Sequence, residues 1–330
     1  CSTFILTITA MSTALFEKLS AEGLISNESL ARVSTREKNR LFSLHWELRT
    51  LLYLGVLLLS GGLGILVYKN IDTIGHTAIL IFIGALSAGG FFYCATHKLP
   101  FSKQKVAAPN ALFDYVLLLA CLSFVTFIGY LQYQYQVFGH RFGLVTFIPM
   151  LVLFFCAYYF DHLGILSMAI TTLCAWAGIA VTPTRILEDN DFNSTTIVYT
   201  GLVLGTCLVA TAIASRRSGV KPHFAFTYSN FGMHLLFICS LAGMFMYNNI
   251  LLLWCLPLAM VSYYFYREAL RQKSFYILLV LTLYAYIGLS YIVITVLGSG
   301  GLSLIFLYFI ATAVALVIFL IKMNKKIRAI

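Results

Sequence analysis

Histidine, cysteine and acidic side chains are the groups in this 330-residue chain that could serve catalysis, metal binding or proton transfer. The seven histidines form no HxxxH or HExxH pair, the spacing that places two metal ligands on one helical face. The eight cysteines form no CxxC pair, and all except Cys1 fall within or at the end of apolar segments, as small core residues do. The sequence therefore predicts no metal site, no cofactor and no catalytic constellation, and we expect the protein not to be an enzyme.

Five titratable residues, Asp114, Asp161, His162, His234 and Glu268, fall near the predicted ends of apolar segments. They could line a polar cavity open to one side, with His234 able to titrate near neutral pH. They could instead extend to the membrane interface or pair with neighbouring lysines and arginines. No acidic residue falls in the middle of an apolar segment, where a proton-coupled carrier most often keeps one.

Residues 129–141, GYLQYQYQVFGHR, alternate tyrosine with glutamine, including Gln132 and Tyr133. On a helix these side chains point in all directions, so this end should lie in a headgroup or vestibule environment. A substrate could be held there by stacking and amide hydrogen bonds. An interfacial aromatic belt explains the pattern equally well.

The composition places these residues in a membrane protein. Hydrophobic residues make up 60% of the chain, charged residues only 10%, and the mean hydropathy is +0.89; charged residues are about a quarter of a typical soluble domain. The net charge of +10 does not indicate a nucleic-acid partner, because the basic residues are scattered between apolar segments. We expect the lipid bilayer to be the main environment of the chain.

Ten apolar segments are long enough to cross the hydrocarbon of a bilayer as helices. They cover roughly residues 50–68, 76–96, 114–133, 142–160, 163–182, 196–214, 231–247, 250–266, 275–297 and 301–321. Two neighbouring pairs are joined by very tight turns, at Asp161-His162 and at Asn248-Asn249. The predicted fold class is all-α, a polytopic transmembrane bundle of about ten spans.

The distribution of basic residues tests this count independently. If the N-terminus is cytoplasmic, only Lys69, Arg141 and Arg185 of the 22 lysines and arginines fall on the outer side. An even number of spans with both termini cytoplasmic therefore fits the positive-inside rule.

The N-terminal segment is predicted to lie outside the membrane. Residues 1–10, CSTFILTITA, are interpreted as an extension or added residues before Met11. Residues 11–48 are polar enough to form a small cytoplasmic helical hairpin, with Ser26 as the cap of its second helix. Two short helices bury too little apolar surface to be stable alone, so the hairpin should dock on the transmembrane domain of residues 49–330, on a second copy or on another protein.

Gly61, Gly62 and Gly64 give the first span a face that another helix backbone can approach closely. We therefore predict a partner membrane protein, or a homo-oligomer, that contacts the hairpin and the first span.

EKLSAEGLIS at residues 17–26, a short basic helix and LLYLGVLLLSGGLGILVYKN at 51–70 together resemble a bacterial family of predicted membrane proteins, domain of unknown function 2157. The resemblance covers about the first quarter of the chain. The residues that carry it are Glu22, Gly23, Leu24, Ile25, Ser26, Gly55, Gly61, Gly64 and Asn70. A tryptophan that commonly follows the asparagine in that family is Ile71 here. The resemblance implies a multi-pass protein of the bacterial inner membrane and brings no assigned reaction.

Two functional hypotheses follow. The first is a non-enzymatic membrane component that docks partner proteins through the hairpin and the glycine-rich first span. The second is a small-molecule transporter with a cavity between spans, suggested by the tyrosine and glutamine residues of 129–141 and by Pro149 and Pro257, which can kink their helices. A polar cavity at mid-membrane would favour the transporter, and a filled apolar core would favour the component.

Overall fold

The computed structural model describes residues 20, 22, 26, 44–69, 75–181, 195–297 and 302–329. Within these residues the chain forms ten α-helices and no strand. The helices are α1 Leu44–Lys69, α2 His76–His97, α3 Ala111–Tyr135, α4 Phe142–Phe160, α5 Leu163–Val181, α6 Thr195–Ser218, α7 Phe224–Met246, α8 Leu251–Arg271, α9 Phe275–Leu297 and α10 Leu302–Ala329. Each of the ten predicted spans corresponds to one of these helices.

Eight of the ten helices are long and apolar enough to cross a membrane, namely α2 to α7, α9 and α10. The apolar part of α1 is shorter and covers Thr50–Ile65. The chain is therefore a multi-pass helical membrane protein. The side on which its termini lie stays a prediction, and most of the predicted N-terminal hairpin lies outside the described residues.

Several helices extend beyond the apolar segments that predicted them. Helix α7 begins at Phe224 rather than at residue 231, and α10 continues to Ala329 rather than ending at 321. Hydropathy marks where a chain leaves the hydrocarbon, whereas the backbone hydrogen bonds of a helix continue into the interface until a cap or a turn ends them. The predicted segments for these two helices were therefore shorter than the helices themselves.

The chain divides at Gly61 into two compact units, and the second unit, residues 62–330, contains α2 to α10. Within it, consecutive helices pack most extensively as the antiparallel pairs α2–α3, α4–α5, α6–α7 and α8–α9. Both tight turns predicted from the sequence are present. Asp161 ends α4 in the left-handed conformation (φ 61°), and Tyr247 followed by the 3₁₀ turn Asn248–Ile250 joins α7 to α8.

Two apolar clusters fill the second unit. One is formed by α6 to α9 around the fully buried Phe237, Met244 and Phe265, and the other is formed by α2 to α7 around Leu117 and Leu153. The cysteines behave mainly as the sequence predicted. All seven within the described residues are free, and Cys94, Cys121, Cys156 and Cys239 are buried in these clusters.

Glycines bring several of the helices very close together. A Cβ built on Gly232 of α7 would lie 2.9 Å from the carbonyl oxygen of Gly205 on α6. A Cβ on Gly243 of α7 would lie 2.1 Å from the Trp254 ring of α8. Such contacts leave no room for a side chain at these positions. The backbone of α7 therefore lies directly against α6 and against Trp254 of α8, a close approach that small residues allow in membrane helices.

Candidate functional site

Among the described residues, the most deeply buried charged side chains lie where three helix connections meet. Asp161 Oδ2 lies 3.1 Å from Lys221 Nζ, and Asp161 Oδ1 lies 2.6 Å from His223 Nε2. The Val106 N–H donates to Asp161 Oδ2 at 2.5 Å. Only 2% of the Asp161 side chain and 1% of the Lys221 side chain are exposed. We call these four residues the Asp161 cluster.

The Asp161 cluster joins the α2–α3, α4–α5 and α6–α7 connections. In addition to its ion pair, Lys221 donates its backbone N–H to the carbonyl oxygen of Lys103 at 2.7 Å. The distance from Lys221 Nζ to the carbonyl oxygen of Gln104 is 3.4 Å. The α2–α3 and α6–α7 connections therefore lie at the same end of the bundle, as the distribution of basic residues predicts. We call this end the basic end.

The geometry of the Asp161 cluster suits a clamp better than a catalytic site. The pocket beside it is lined by Lys98, Phe101, Tyr159 and Asp161, among others, and its volume of about 20 Å³ holds about one water molecule. Both carboxylate oxygens of Asp161 already have partners from other connections. His223 Nδ1 is buried without a hydrogen-bond partner among the described residues, and Nε2 is the ring nitrogen that contacts Asp161.

Asp114 and His162, two further predicted site residues, lie near each other but not in the Asp161 cluster. Asp114 lies in the first turn of α3, where the helix dipole favours a carboxylate, and its Oδ1 is 3.9 Å from His162 Nε2. His162 Nδ1 accepts the N–H of Ile165 at 3.2 Å, so the ring caps the first turn of α5. Both side chains are buried.

Glu268 belongs to a separate ion-pair network at the basic end. It forms an ion pair with Arg216 of α6, accepts a hydrogen bond from Gln272 and lies 3.1 Å from Arg271. Burial alone would raise the pKa of Glu268, but the hydrogen bonds from Arg216 and Gln272 and the two arginine charges outweigh burial and lower the pKa below 4.5, the ordinary value. The carboxylate is therefore stabilised in its charged form.

This depressed pKa predicts an acid-dependent loss of stability. A carboxylate with a folded-state pKa below its unfolded value stabilises the protein above the unfolded pKa, and the stabilisation is lost as pH falls through the folded pKa. We expect Glu268→Gln to lower the melting temperature at pH 7 and the difference from the wild type to shrink as pH falls below about 4.5. Melting curves of both proteins between pH 7 and pH 3 measure this, and a difference independent of pH would contradict it.

His234 joins α7 to α9 through a chain of hydrogen bonds. Its Nδ1 lies 3.0 Å from the hydroxyl of Tyr284, and its Nε2 lies 3.2 Å from the hydroxyl of Tyr276. Tyr276 in turn donates to Asn230 Oδ1 at 2.9 Å. The five titratable residues singled out in the sequence therefore divide into groups with different partners.

Gln132 and Tyr133 lie at the end of α3, and their side chains differ in environment. Gln132 is buried, donates to the carbonyl oxygen of Gly139 and accepts the N–H of Phe138, both at 2.9 Å. It therefore holds the α3–α4 connection. Tyr133 is 79% exposed, as a residue of an interfacial aromatic belt would be.

The glycines of α1 have open space around them. A Cβ built on Gly61, Gly62 or Gly64 would meet no atom within 4 Å, and all three residues are exposed.

Sequence reasoning missed Lys221, His223 and Val106. Lys221 pairs with Asp161, which lies sixty positions earlier in the chain, and no local spacing links the two. The available signal was Lys-Pro-His in the short α6–α7 connection, which places a lysine and a histidine at one turn. Within the described part of the chain, no group of three or more histidines, cysteines and acidic residues is arranged to hold a metal ion.

Comparison with known proteins gives one match. Residues 17–166 match the model of a family described as "Predicted membrane protein (DUF2157)". No curated protein and no solved structure matches the chain. The resemblance inferred from the first quarter of the sequence is therefore confirmed, and it continues through α4 into the first turn of α5. Over residues 17–166 this multi-pass membrane protein matches the family known as domain of unknown function 2157.

Proposed function

We propose that this protein is a non-enzymatic component of a bacterial inner-membrane assembly, which docks a partner membrane protein on the glycine-rich face of α1 and on the N-terminal hairpin. The partner would supply a membrane-spanning helix that packs against Gly61, Gly62 and Gly64. The bacterial inner membrane is the location that the family resemblance implies.

The observation that carries the proposal is the contrast between two sets of glycines. At glycines of α6, α7 and α9, neighbouring side chains occupy the space where a Cβ would lie. A Cβ built on Gly201 would lie 2.2 Å from Cys239 Sγ, and one built on Gly288 would lie 2.4 Å from Leu258. At Gly61, Gly62 and Gly64 a built Cβ meets nothing within 4 Å, as at the single positions Gly89 of α2 and Gly129 of α3, but in α1 three such glycines lie within one turn. Since small residues in membrane helices allow close backbone approach, the open glycines of α1 supply a surface suited to another helix.

The packing of the second unit supports a docking component over a transporter. Its apolar clusters contain large, fully buried side chains such as Phe237, Phe265 and Met244, and the closest contacts among α6 to α9 lie at glycines with no room for a side chain. The buried Gln132, suggested as a substrate ligand, is already used by the α3–α4 connection. A filled apolar core fits a docking component, in which the core serves only as a scaffold, better than a transporter, which needs a cavity.

Removing residues 11–43, which leaves α1 whole, tests the role of the hairpin. We expect the truncated protein to insert into the membrane and to lose at least one protein that co-purifies with the full-length chain after mild detergent extraction. Quantitative mass spectrometry of both purifications measures the loss. Retention of every co-purifying protein at the full-length level would rule out docking by the hairpin.

A further inference from the structure

The connection between α2 and α3 combines apolar and basic side chains outside the spans. Residues 98–110, KLPFSKQKVAAPN, include three lysines and no acidic residue. Leu99 is 46% and Phe101 56% exposed, and the side chains of Lys103 and Lys105 are also exposed. We call residues 98–106 the basic loop. Exposed apolar and cationic residues interleaved in this way are typical of segments that lie in the membrane interface.

The basic loop is held in place by the rest of the second unit. The Lys103 carbonyl oxygen accepts the N–H of Lys221 at 2.7 Å, and the Val106 N–H donates to Asp161. The Phe101 ring lies 5.1 Å from Lys221 Nζ. Because these contacts use mainly backbone groups of the loop, its lysine side chains remain directed outward from a fixed backbone.

The end of α4 continues this surface towards the hydrocarbon. Phe155 is 63% exposed and stacks on Tyr159 with ring centroids 5.1 Å apart. Lys98 Nζ hydrogen-bonds the Tyr159 hydroxyl and lies 3.6 Å from the centre of that ring. The surface thus passes from an apolar ring and an amphipathic tyrosine on α4 to the ammonium group of Lys98 in the basic loop. The same order of polarity runs along a phospholipid from acyl chain to phosphate.

We propose that the basic loop and Tyr159 form a binding site for an anionic phospholipid. Lys98, with Lys103 and Lys105 beside it, contacts the phosphate headgroup, and one acyl chain lies along Phe155. Three positive charges without a carboxylate in the loop provide the charge complementarity, and the exposed Leu99 and Phe101 side chains insert among the headgroups. The inference does not depend on the proposed docking function, since it uses no residue of α1 or of the hairpin.

Native mass spectrometry of the full-length protein tests this site with phosphatidylglycerol and phosphatidylcholine of identical acyl chains. We expect the wild type to retain phosphatidylglycerol more tightly. Lys98→Met should weaken this binding about fivefold, because each lysine near an anionic surface contributes a factor of about five. The double variant Lys103→Ala/Lys105→Ala, which removes two lysines, should weaken the binding more than Lys98→Met does. The double variant keeps the Lys98 contact and the backbone bonds, so its fold should be that of the wild type. Arg141→Ala, an exposed cation at the opposite end of α3, is the control and should leave the affinity unchanged.

Three results would overturn the proposal. The first is that the wild type retains both lipids equally. The second is that both loop variants keep the wild-type affinity for phosphatidylglycerol and the wild-type melting temperature. The third is that millimolar inorganic phosphate displaces phosphatidylglycerol. The last result would mean that the loop binds free phosphate rather than a lipid headgroup.

Discussion

Lys221→Met is expected to destabilise the protein by about 3–5 kcal/mol, the cost of removing one partner from a buried ion pair. The variant leaves the Asp161 carboxylate, of which only 2% is exposed, without the ammonium group that lies 3.1 Å away. Methionine has nearly the length of the lysine stem, so little packing is lost with the charge. Equilibrium unfolding of the purified full-length protein in mixed micelles measures the difference.

Two controls separate the buried charge from the turn that carries it. Lys273 occupies the α8–α9 turn with a similar left-handed backbone (φ 51° against 48° at Lys221), but its side chain is exposed. We expect Lys273→Met to cost less than about 1 kcal/mol, as for surface charges. The double variant Asp161→Asn/Lys221→Met should recover part of the loss, because it removes the unpaired carboxylate. Equal effects of the two lysine variants would show that the Asp161 cluster is not a clamp.

Gly243→Val is the second substitution with a large expected effect, about 3 kcal/mol or more, or failure to fold. A Cβ at this position would lie 2.1 Å from the ring of Trp254, which is 5% exposed and stacks on Tyr247 with centroids 5.7 Å apart. Neither ring can move without opening the α7–α8 contact, and overpacking a well-filled core typically costs 1–3 kcal/mol even when it can relax.

Gly129→Val is the matched control for this substitution. Gly129 also lies within a membrane-spanning helix, α3, and a Cβ built there meets nothing within 4 Å. The two variants change helix propensity equally, so the difference in their melting temperatures reports the Trp254 contact alone. Equal melting temperatures would contradict the close packing of α7 on α8.

The ten described helices and both tight turns could be predicted from the sequence, because long apolar segments form helices in a bilayer. Eight of these helices are long and apolar enough to cross a membrane. The ends of the helices could not be predicted, since helix α7 begins at Phe224, and residues 224–230, FAFTYSN, mix apolar and polar side chains and so give no clear hydropathy boundary. The common location of Lys103 and Lys221 also follows from the charge distribution and is confirmed by the hydrogen bond between their backbones.

The partners of the candidate site residues were not predictable, since they depend on contacts between distant connections. Asp161 was identified as a candidate, but its pairing with Lys221 requires the α4–α5 and α6–α7 turns to meet. The sequence suggested Gln132 as a ligand for a substrate. Its actual role in the α3–α4 connection depends on the backbone path of residues 138 and 139, which no local pattern predicts. The closely packed Gly201 and Gly205 did carry a local signal, a spacing of four in an apolar segment.

Photo-crosslinking in native membranes tests the proposed docking on α1 most directly. A photoreactive residue replaces Leu58, one turn before Gly62, or Leu307 on α10 as a control; both leucines are 65% exposed. We predict a discrete protein adduct of the full-length chain from position 58, and its loss when Gly61→Leu and Gly62→Leu are added. The contradicting result is an adduct pattern at position 58 that matches position 307 or is unchanged by the two glycine substitutions.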